Sequence, residues 1–298
     1  MFKHDYAALG ELRLHYVTEG GGAPIVFLHG FPEFWYQWRK QLTDFGRDHQ
    51  AVAPDLRGYN LSSKPPEVRQ YRIEALVEDV RGLAEHLGRG KIVLVGHDWG
   101  GVLAWAFAMQ HPDHLEALVI INAPHPVAFQ RELRRNPAQC AASQYMLMLA
   151  SPRCEALLAA DNFAALADTV LKRGLEQGYV TEEDREAYLE AWSQPGALAG
   201  ALNYYRAALE WLPLGAAGCA AGKVAEFPVV PVHAPTLVIW GENDPYLLPG
   251  NLDGLEAFVP RLEVRRIHEA SHWVTHEKPE LVNSLIREFL AERQPPSA

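Results

Sequence analysis

Seven residues, Val95-Gly96-His97-Asp98-Trp99-Gly100-Gly101, limit the fold of this chain more than any other stretch. They follow a short continuous apolar run, Ile92-Val93-Leu94-Val95, and lead into Val102 to Met109, which has helical spacing. The form is small-x-nucleophile-x-small, a strand that turns sharply into a helix and holds its central residue in a strained backbone conformation. A Cβ at position 96 or 100 would collide with the neighbouring strand or helix, so both places need glycine. An N-cap after a strand would explain an aspartate at position 98, but not glycines on both sides of it. The central side chain of such an elbow projects into a cleft, beside the positive end of the helix.

The rest of the chain supplies the setting. Asp5 to Leu9 and Leu12 to Val17 flank Gly10 and read as a hairpin. Ile25 to Leu28, Ala51 to Ala53 and Leu118 to Ile121 are further short apolar runs, as expected of strands buried on both faces. Between them Phe34 to Phe45 and Ile73 to Leu87 carry helical spacing, the second closed by Gly88. Strands alternating with helices imply a mostly parallel sheet covered on both faces. From about Val127 to Val230 the strand runs stop, and helical segments follow: Gln139 to Leu149, Cys154 to Asn162, Thr181 to Trp192 and Ala197 to Trp211. Leu214 to Gly222, rich in Gly and Ala, reads as a connector. Strands resume at Thr236 to Trp240 and Leu262 to Ile267, before a last helix from Pro279 to Glu292. The expected architecture is an α/β core, residues 1–126 and 231–298, with a helical cap, 127–230, roofing the cleft at the carboxyl ends of the strands.

Composition removes several function classes. The 298 residues hold 27 Lys and Arg against 37 Asp and Glu, a formal charge of −10. A net anion has no reason to seek nucleic acid or anionic lipid, and no basic patch offsets it. No apolar run reaches the ~18 to 20 residues that span a bilayer. The start, with His4 and Asp5, has no apolar leader core. Cys140, Cys154 and Cys219 are odd in number and lack metal-ligand spacing, so free thiols in a reducing, cytoplasmic compartment are expected, with no metal or cofactor.

An aspartate at the elbow changes the chemistry available. A carboxylate is ionised at neutral pH, needs no base to activate it, and attacks an electrophilic sp³ carbon to form an alkyl ester. That ester must then be hydrolysed by a water and a general base, expected to be a late histidine steadied by an acid. Asp244 follows the strand Thr236 to Trp240, and His272 follows Leu262 to Ile267. Asp98, Asp244, His272 is the nucleophile-acid-histidine order of the α/β-hydrolase fold. Glu242 is an alternative acid, and His268 and His276 compete as the base. His29-Gly30-Phe31-Pro32 directly follows the first buried strand. In this fold that loop gives one N–H of an oxyanion hole and the residue after the nucleophile gives the other, which assigns Phe31 and Trp99. Pro32 can favour a cis bond that fixes the donor's direction.

With these residues in place, the chain resembles the α/β-hydrolase-fold epoxide hydrolases along nearly its whole length. The matching segments are His29-Gly30-Phe31-Pro32-Glu33 with Trp35-Tyr36-Gln37-Trp38-Arg39, Asp55-Leu56-Arg57-Gly58-Tyr59, the elbow, and Ser271-His272-Trp273. Enzymes of this family hold and protonate the epoxide oxygen with two cap tyrosines. One stands seven residues before an early cap proline, as Tyr145 stands before Pro152, and the other lies in an Asn-aromatic-Tyr-Arg segment, here Asn203-Tyr204-Tyr205-Arg206. The resemblance therefore implies Tyr145 and Tyr205 as proton donors, a small apolar epoxide and water as substrates, and a vicinal diol as product. Pro32, Trp35 and Trp99 are expected on the substrate pocket, while His125 is as readily a loop residue as a pocket one. Met146-Leu147-Met148-Leu149-Ala150-Ser151 departs from the family, which usually has aromatics and a glutamine there, and points to a softer, aliphatic wall.

Two rivals are open to the sequence. A dehalogenase could use the same nucleophile, but a haloalkane enzyme wants Asn where Phe31 stands. A haloacetate enzyme wants arginines after the nucleophile, where Trp99 and Val102 offer none. A silent binding protein on this fold has no need of Asp98, Asp244 and His272 together.

Overall fold

In the computed structural model, which describes residues 2–88, 90–215, 219 and 227–293, the short apolar runs become the middle of an eight-stranded sheet. The strands are β1 (Lys3–Leu9), β2 (Leu12–Gly20), β3 (Pro24–Leu28), β4 (Gln50–Pro54), β5 (Ile92–His97), β6 (Leu115–Ile121), β7 (Thr236–Gly241) and β8 (Leu262–Ile267). Their spatial order is β1-β2-β4-β3-β5-β6-β7-β8. The pairs β1–β2 and β2–β4 are antiparallel and all others are parallel. Every residue of β3, β5 and β7 is buried, which is why these strands read as unbroken apolar runs.

Helices α1 (Arg39–Phe45), α2 (Ile73–His86) and α3 (Trp99–Gln110) lie in the first half of the chain. Between β6 and β7 the chain runs through α4 (Pro126–Arg135), α5 (Pro137–Ala142), α6 (Tyr145–Ala150), α7 (Cys154–Val170), α8 (Lys172–Gln177), α9 (Glu182–Ser193) and α10 (Ala197–Ala208). After β8 come α11 (Val274–Glu277) and α12 (Pro279–Ala291). Helices α2 and α3 pack together, and α1 packs with α12, so the sheet is covered on both faces. This is the α/β-hydrolase architecture with an inserted helical cap. Among the described residues no helix is long and apolar enough to cross a membrane.

Local detail departs from the sequence reading in three places, and a fourth expectation is untested. Phe34 to Phe45 is not one helix: Trp35–Trp38 is a 3₁₀ turn before α1, and the Trp35 N–H at its start donates to the Asp55 carboxylate at 3.1 Å. Gln139 to Leu149 is broken at Ser143-Gln144, where the Gln139 amide ties the Ser143 hydroxyl and the Tyr246 carbonyl at 2.9 and 2.8 Å. The connector from Leu214 to Gly222 lies largely outside the described residues. The expectation of free thiols holds for Cys154 alone, since Cys140 on α5 is disulfide-bonded to Cys219. The partners are 79 residues apart in sequence, and only the folding of the cap brings them together. Cysteine usage therefore no longer argues for a reducing compartment.

Candidate active site

The elbow forms as its glycines require. Asp98 sits between β5 and α3 at φ 51°, ψ −123°, a left-handed conformation that L side chains rarely adopt. A Cβ on Gly100 would lie 2.1 Å from the Leu28 carbonyl, and one on Gly96 2.3 Å from that of Gly100. The turn can be this tight only without those atoms. The loop after β3 brings the Phe31 N–H to Oδ1 of Asp98 at 2.7 Å, and the Phe31–Pro32 peptide is cis. Burial pushes the Asp98 carboxyl up; the charge of His272 and the backbone N–H groups of Phe31 and Trp99 oppose it.

Oδ2 of Asp98 faces Nε2 of His272 at 3.6 Å. On the far side of the ring, Nδ1–H donates to Oδ2 of Asp244 at 2.7 Å. Asp244 is buried, and its Oδ1 accepts the N–H groups of Tyr246 and Leu247 at 2.8 and 3.0 Å. Burial alone would lower the His272 pKa. The charge and hydrogen bond of Asp244, joined by the charge of Asp98, push it to about 8.

Two supports of this pair escaped the sequence reading. Asn122, at φ 40° just after β6, donates to Oδ2 of Asp244 at 2.8 Å and accepts the Gly241 N–H at 2.8 Å. It locks the acid to the end of β7. Its signal in sequence is faint, an asparagine after an apolar strand. His97 is fully buried beside the nucleophile and donates from Nε2 to the His272 carbonyl at 2.9 Å. Its Nδ1 accepts from the Gln37 amide at 2.8 Å. Burial, then the neighbouring charge of His272, keeps His97 well below the ordinary histidine range, so it is a neutral strut.

The competing residues are placed elsewhere. Glu242 pairs with the exposed His268 and with Arg266. His276 is buried against Glu33 at 2.8 Å, where the Tyr188 hydroxyl of α9 also donates to Glu33. Trp35 does not reach the pocket. Its 3₁₀ turn directs the ring towards the N-terminal hairpin, 5.7 Å from Phe2 and 5.3 Å from His4 between ring centroids. His125 is buried and stacked on Phe258 at 4.9 Å, in a loop role at the start of α4.

The cap delivers two phenols over the nucleophile, Tyr145 at the start of α6 and Tyr205 on α10. Their rings are 6.3 Å apart, and Tyr205 packs edge-on to Phe31 at 5.1 Å. Burial above all, aided by the charge of Asp98, raises both phenols well above their usual range, so both are neutral donors. The Trp99 ring packs edge-on to Tyr205 at 5.4 Å between centroids. Helix α10 sits low because Gly200 and Gly58 meet backbone to backbone: a Cβ on Gly200 would fall 2.5 Å from the Gly58 carbonyl. The Tyr204 hydroxyl adds a bond to the Arg57 carbonyl at 2.9 Å.

Asp98, Tyr145 and Tyr205 line a cavity with two lobes. The larger, of about 170 Å³, also takes in His272, Pro32 and the aliphatic Met148, Leu149, Leu158 and Leu166. The smaller, of about 40 Å³, runs past Trp99 towards Phe129 and Trp211. Both walls are mostly apolar, with the polar groups gathered at Asp98.

Known proteins share this arrangement of chain. Residues 23–279 match the alpha/beta hydrolase fold family. The chain is 37% identical over 299 aligned positions to "Epoxide hydrolase 4" of Homo sapiens, covering 97% of this chain and 79% of that one. It is 39% identical over 294 positions to "AB hydrolase superfamily protein YfhM" of Bacillus subtilis (strain 168), covering 97% and 98%. Among solved structures, the Bacillus megaterium epoxide hydrolase in complex with an inhibitor superposes with a TM-score of 0.90 at 40% identity, covering 96% of this chain and 100% of that one.

Proposed function

This chain belongs to the α/β-hydrolase-fold family and, within it, to the epoxide hydrolases with an aspartate nucleophile, and we propose from its site how it turns an epoxide into a diol. The observation that carries the reading is one cavity in which a carboxylate, a base and two neutral phenols converge. A small apolar epoxide lies with its oxygen towards Tyr145 and Tyr205 and a ring carbon towards Asp98. Oδ1 is held by the Phe31 N–H, which leaves Oδ2 as the attacking oxygen. The carbon–oxygen bond of the ring breaks as the new ester bond forms, and a phenol gives its proton to the departing oxygen, which stays on the substrate.

Ester formation removes the negative charge of Asp98, one of the charges that hold a proton on His272. The ring then becomes the stronger acid, gives that proton to the phenolate left by ring opening and is ready to accept one from water. Water adds to Cγ of Asp98, and the developing charge on Oδ1 meets the N–H groups of Phe31 and Trp99. Collapse breaks the bond between Cγ and the substrate oxygen, which takes the remaining proton of the added water, so the diol leaves with Asp98 again a carboxylate and His272 again protonated. The same reading divides the chain at 126 and 231, with the cap from 127 to 230 supplying the acid side of the site and the core supplying nucleophile and base.

The dehalogenase alternative is disfavoured by Phe31 at the oxyanion loop and by the two cap phenols that share the cavity with Asp98. The epoxide reading is tested with His272→Gln. That variant should accumulate substrate covalently on Asp98 when given racemic styrene oxide, seen by intact-protein mass spectrometry with peptide mapping. No adduct on Asp98 with any reactive epoxide would remove the scheme.

A further inference from the structure

The second half of the reaction needs a water beside Nε2 of His272, and an ordered water in an apolar cavity needs two or more polar partners. His272 lines the larger lobe and not the smaller, so this water belongs in the larger. One phenol there has no part in the scheme above. Tyr246 lines the same lobe, with its ring edge-on to His272 at 5.4 Å and 5.2 Å from the ring of Tyr145. It stands two residues after Asp244, and its N–H donates to that carboxylate at 2.8 Å. The turn that fixes the acid therefore also fixes this ring.

We propose that Tyr246 is a third functional phenol of the site, a positioning residue whose hydroxyl holds the hydrolytic water against His272 and so serves release of the ester but not its formation. The inference rests on the two-step reading above. The cavity sorts the three phenols. Tyr145 and Tyr205 line both lobes and meet wherever Asp98 attacks, whereas Tyr246 lines only the lobe that holds the base. Burial, then repulsion from Asp244 and Asp98, raises the Tyr246 phenol, so the hydroxyl stays neutral and can donate as well as accept. As the water loses a proton to Nε2 of His272 and its oxygen bonds to Cγ of Asp98, negative charge grows on that oxygen. A donating phenol interacts with it more strongly in the transition state than in the ground state. No bond to Tyr246 itself is made or broken.

The test compares wild type, Y246F and H272Q with racemic styrene oxide in single turnovers, following formation and decay of the Asp98 ester by rapid quench. Y246F should form the ester at the wild-type rate and lose it about tenfold more slowly, the effect of one missing hydrogen bond. In steady state, wherever ester hydrolysis limits turnover, kcat and KM should fall together with kcat/KM unchanged. A purely structural role would lower kcat/KM and slow ester formation, and that result overturns the proposal. So does ester decay at the wild-type rate in Y246F while H272Q accumulates the adduct. If H272Q also forms no adduct, the fault lies with the two-step reading itself.

Discussion

His272 keeps its proton more firmly in the folded chain than in the unfolded one. Against the pull of burial, Asp244 and Asp98 raise it from an ordinary 6.5 to about 8. The protonated ring thus adds about 2 kcal/mol to stability, in full below pH 6.5 and lost as pH rises through 8. The difference in unfolding free energy between wild type and His272→Gln should therefore shrink between pH 6.5 and 8, and a difference constant with pH would contradict this charge state. At this scale the sequence spoke clearly for Asp98, because the two glycines around it have a local steric cause. It spoke less clearly for His272, with His268 and His276 nearby. Only the cross-sheet partners Asp244 and Glu33 separate them. Trp35 is held away from the pocket by contacts equally remote in sequence, its N–H donating to Asp55, twenty residues away.

Helix α10 carries Tyr205, and the closeness of Gly200 to Gly58 sets how far that phenol reaches towards Asp98. Gly200→Ala puts a Cβ against backbone that cannot swing aside. The variant should lose about 1–3 kcal/mol of stability, and kcat/KM for an epoxide should fall as α10 rides up. Thermal melts and steady-state kinetics read both; wild-type values for each would show that the contact does not seat the helix. Helix α7 shows another limit of sequence reading. Asp161, Asn162 and Phe163 take φ of 49°, 54° and 62°, a left-handed interruption where the helical spacing from Cys154 ended. Asp and Asn tolerate that region through their own short-range hydrogen bonding, while Phe163 is held there by packing against the core, including the Trp192 ring. Strand runs and helix faces were legible, because each is fixed by near neighbours, and the structure adds a Thr181–Asp184 capping box at the start of α9.

At the scale of the whole molecule, cap and core are joined by polar contacts around the site. The Tyr188 hydroxyl donates to Glu33, and the Trp192 indole donates to the Pro32 carbonyl at 2.7 Å. The Cys140–Cys219 bond closes the cap on itself across 79 residues of sequence. Its loss should cost about 2–4 kcal/mol and lower Tm by about 5 °C. A melt of wild type with and without reductant, beside Cys140→Ser, checks this, and an unshifted Tm under both conditions would mean that the pair does not form. The sequence by itself determined the parallel sheet, the elbow with its carboxylate nucleophile, and the chain order of acid and histidine. Those features follow from sterics and burial within a few residues of each position. The tertiary structure decided what depends on distant segments meeting: Asn122 behind Asp244, His97 beneath His272, the pairing of two cysteines, and a third phenol, Tyr246, beside the base. No local pattern encodes these contacts, because each exists only once strands β5 to β8 are aligned and the cap is closed over their ends.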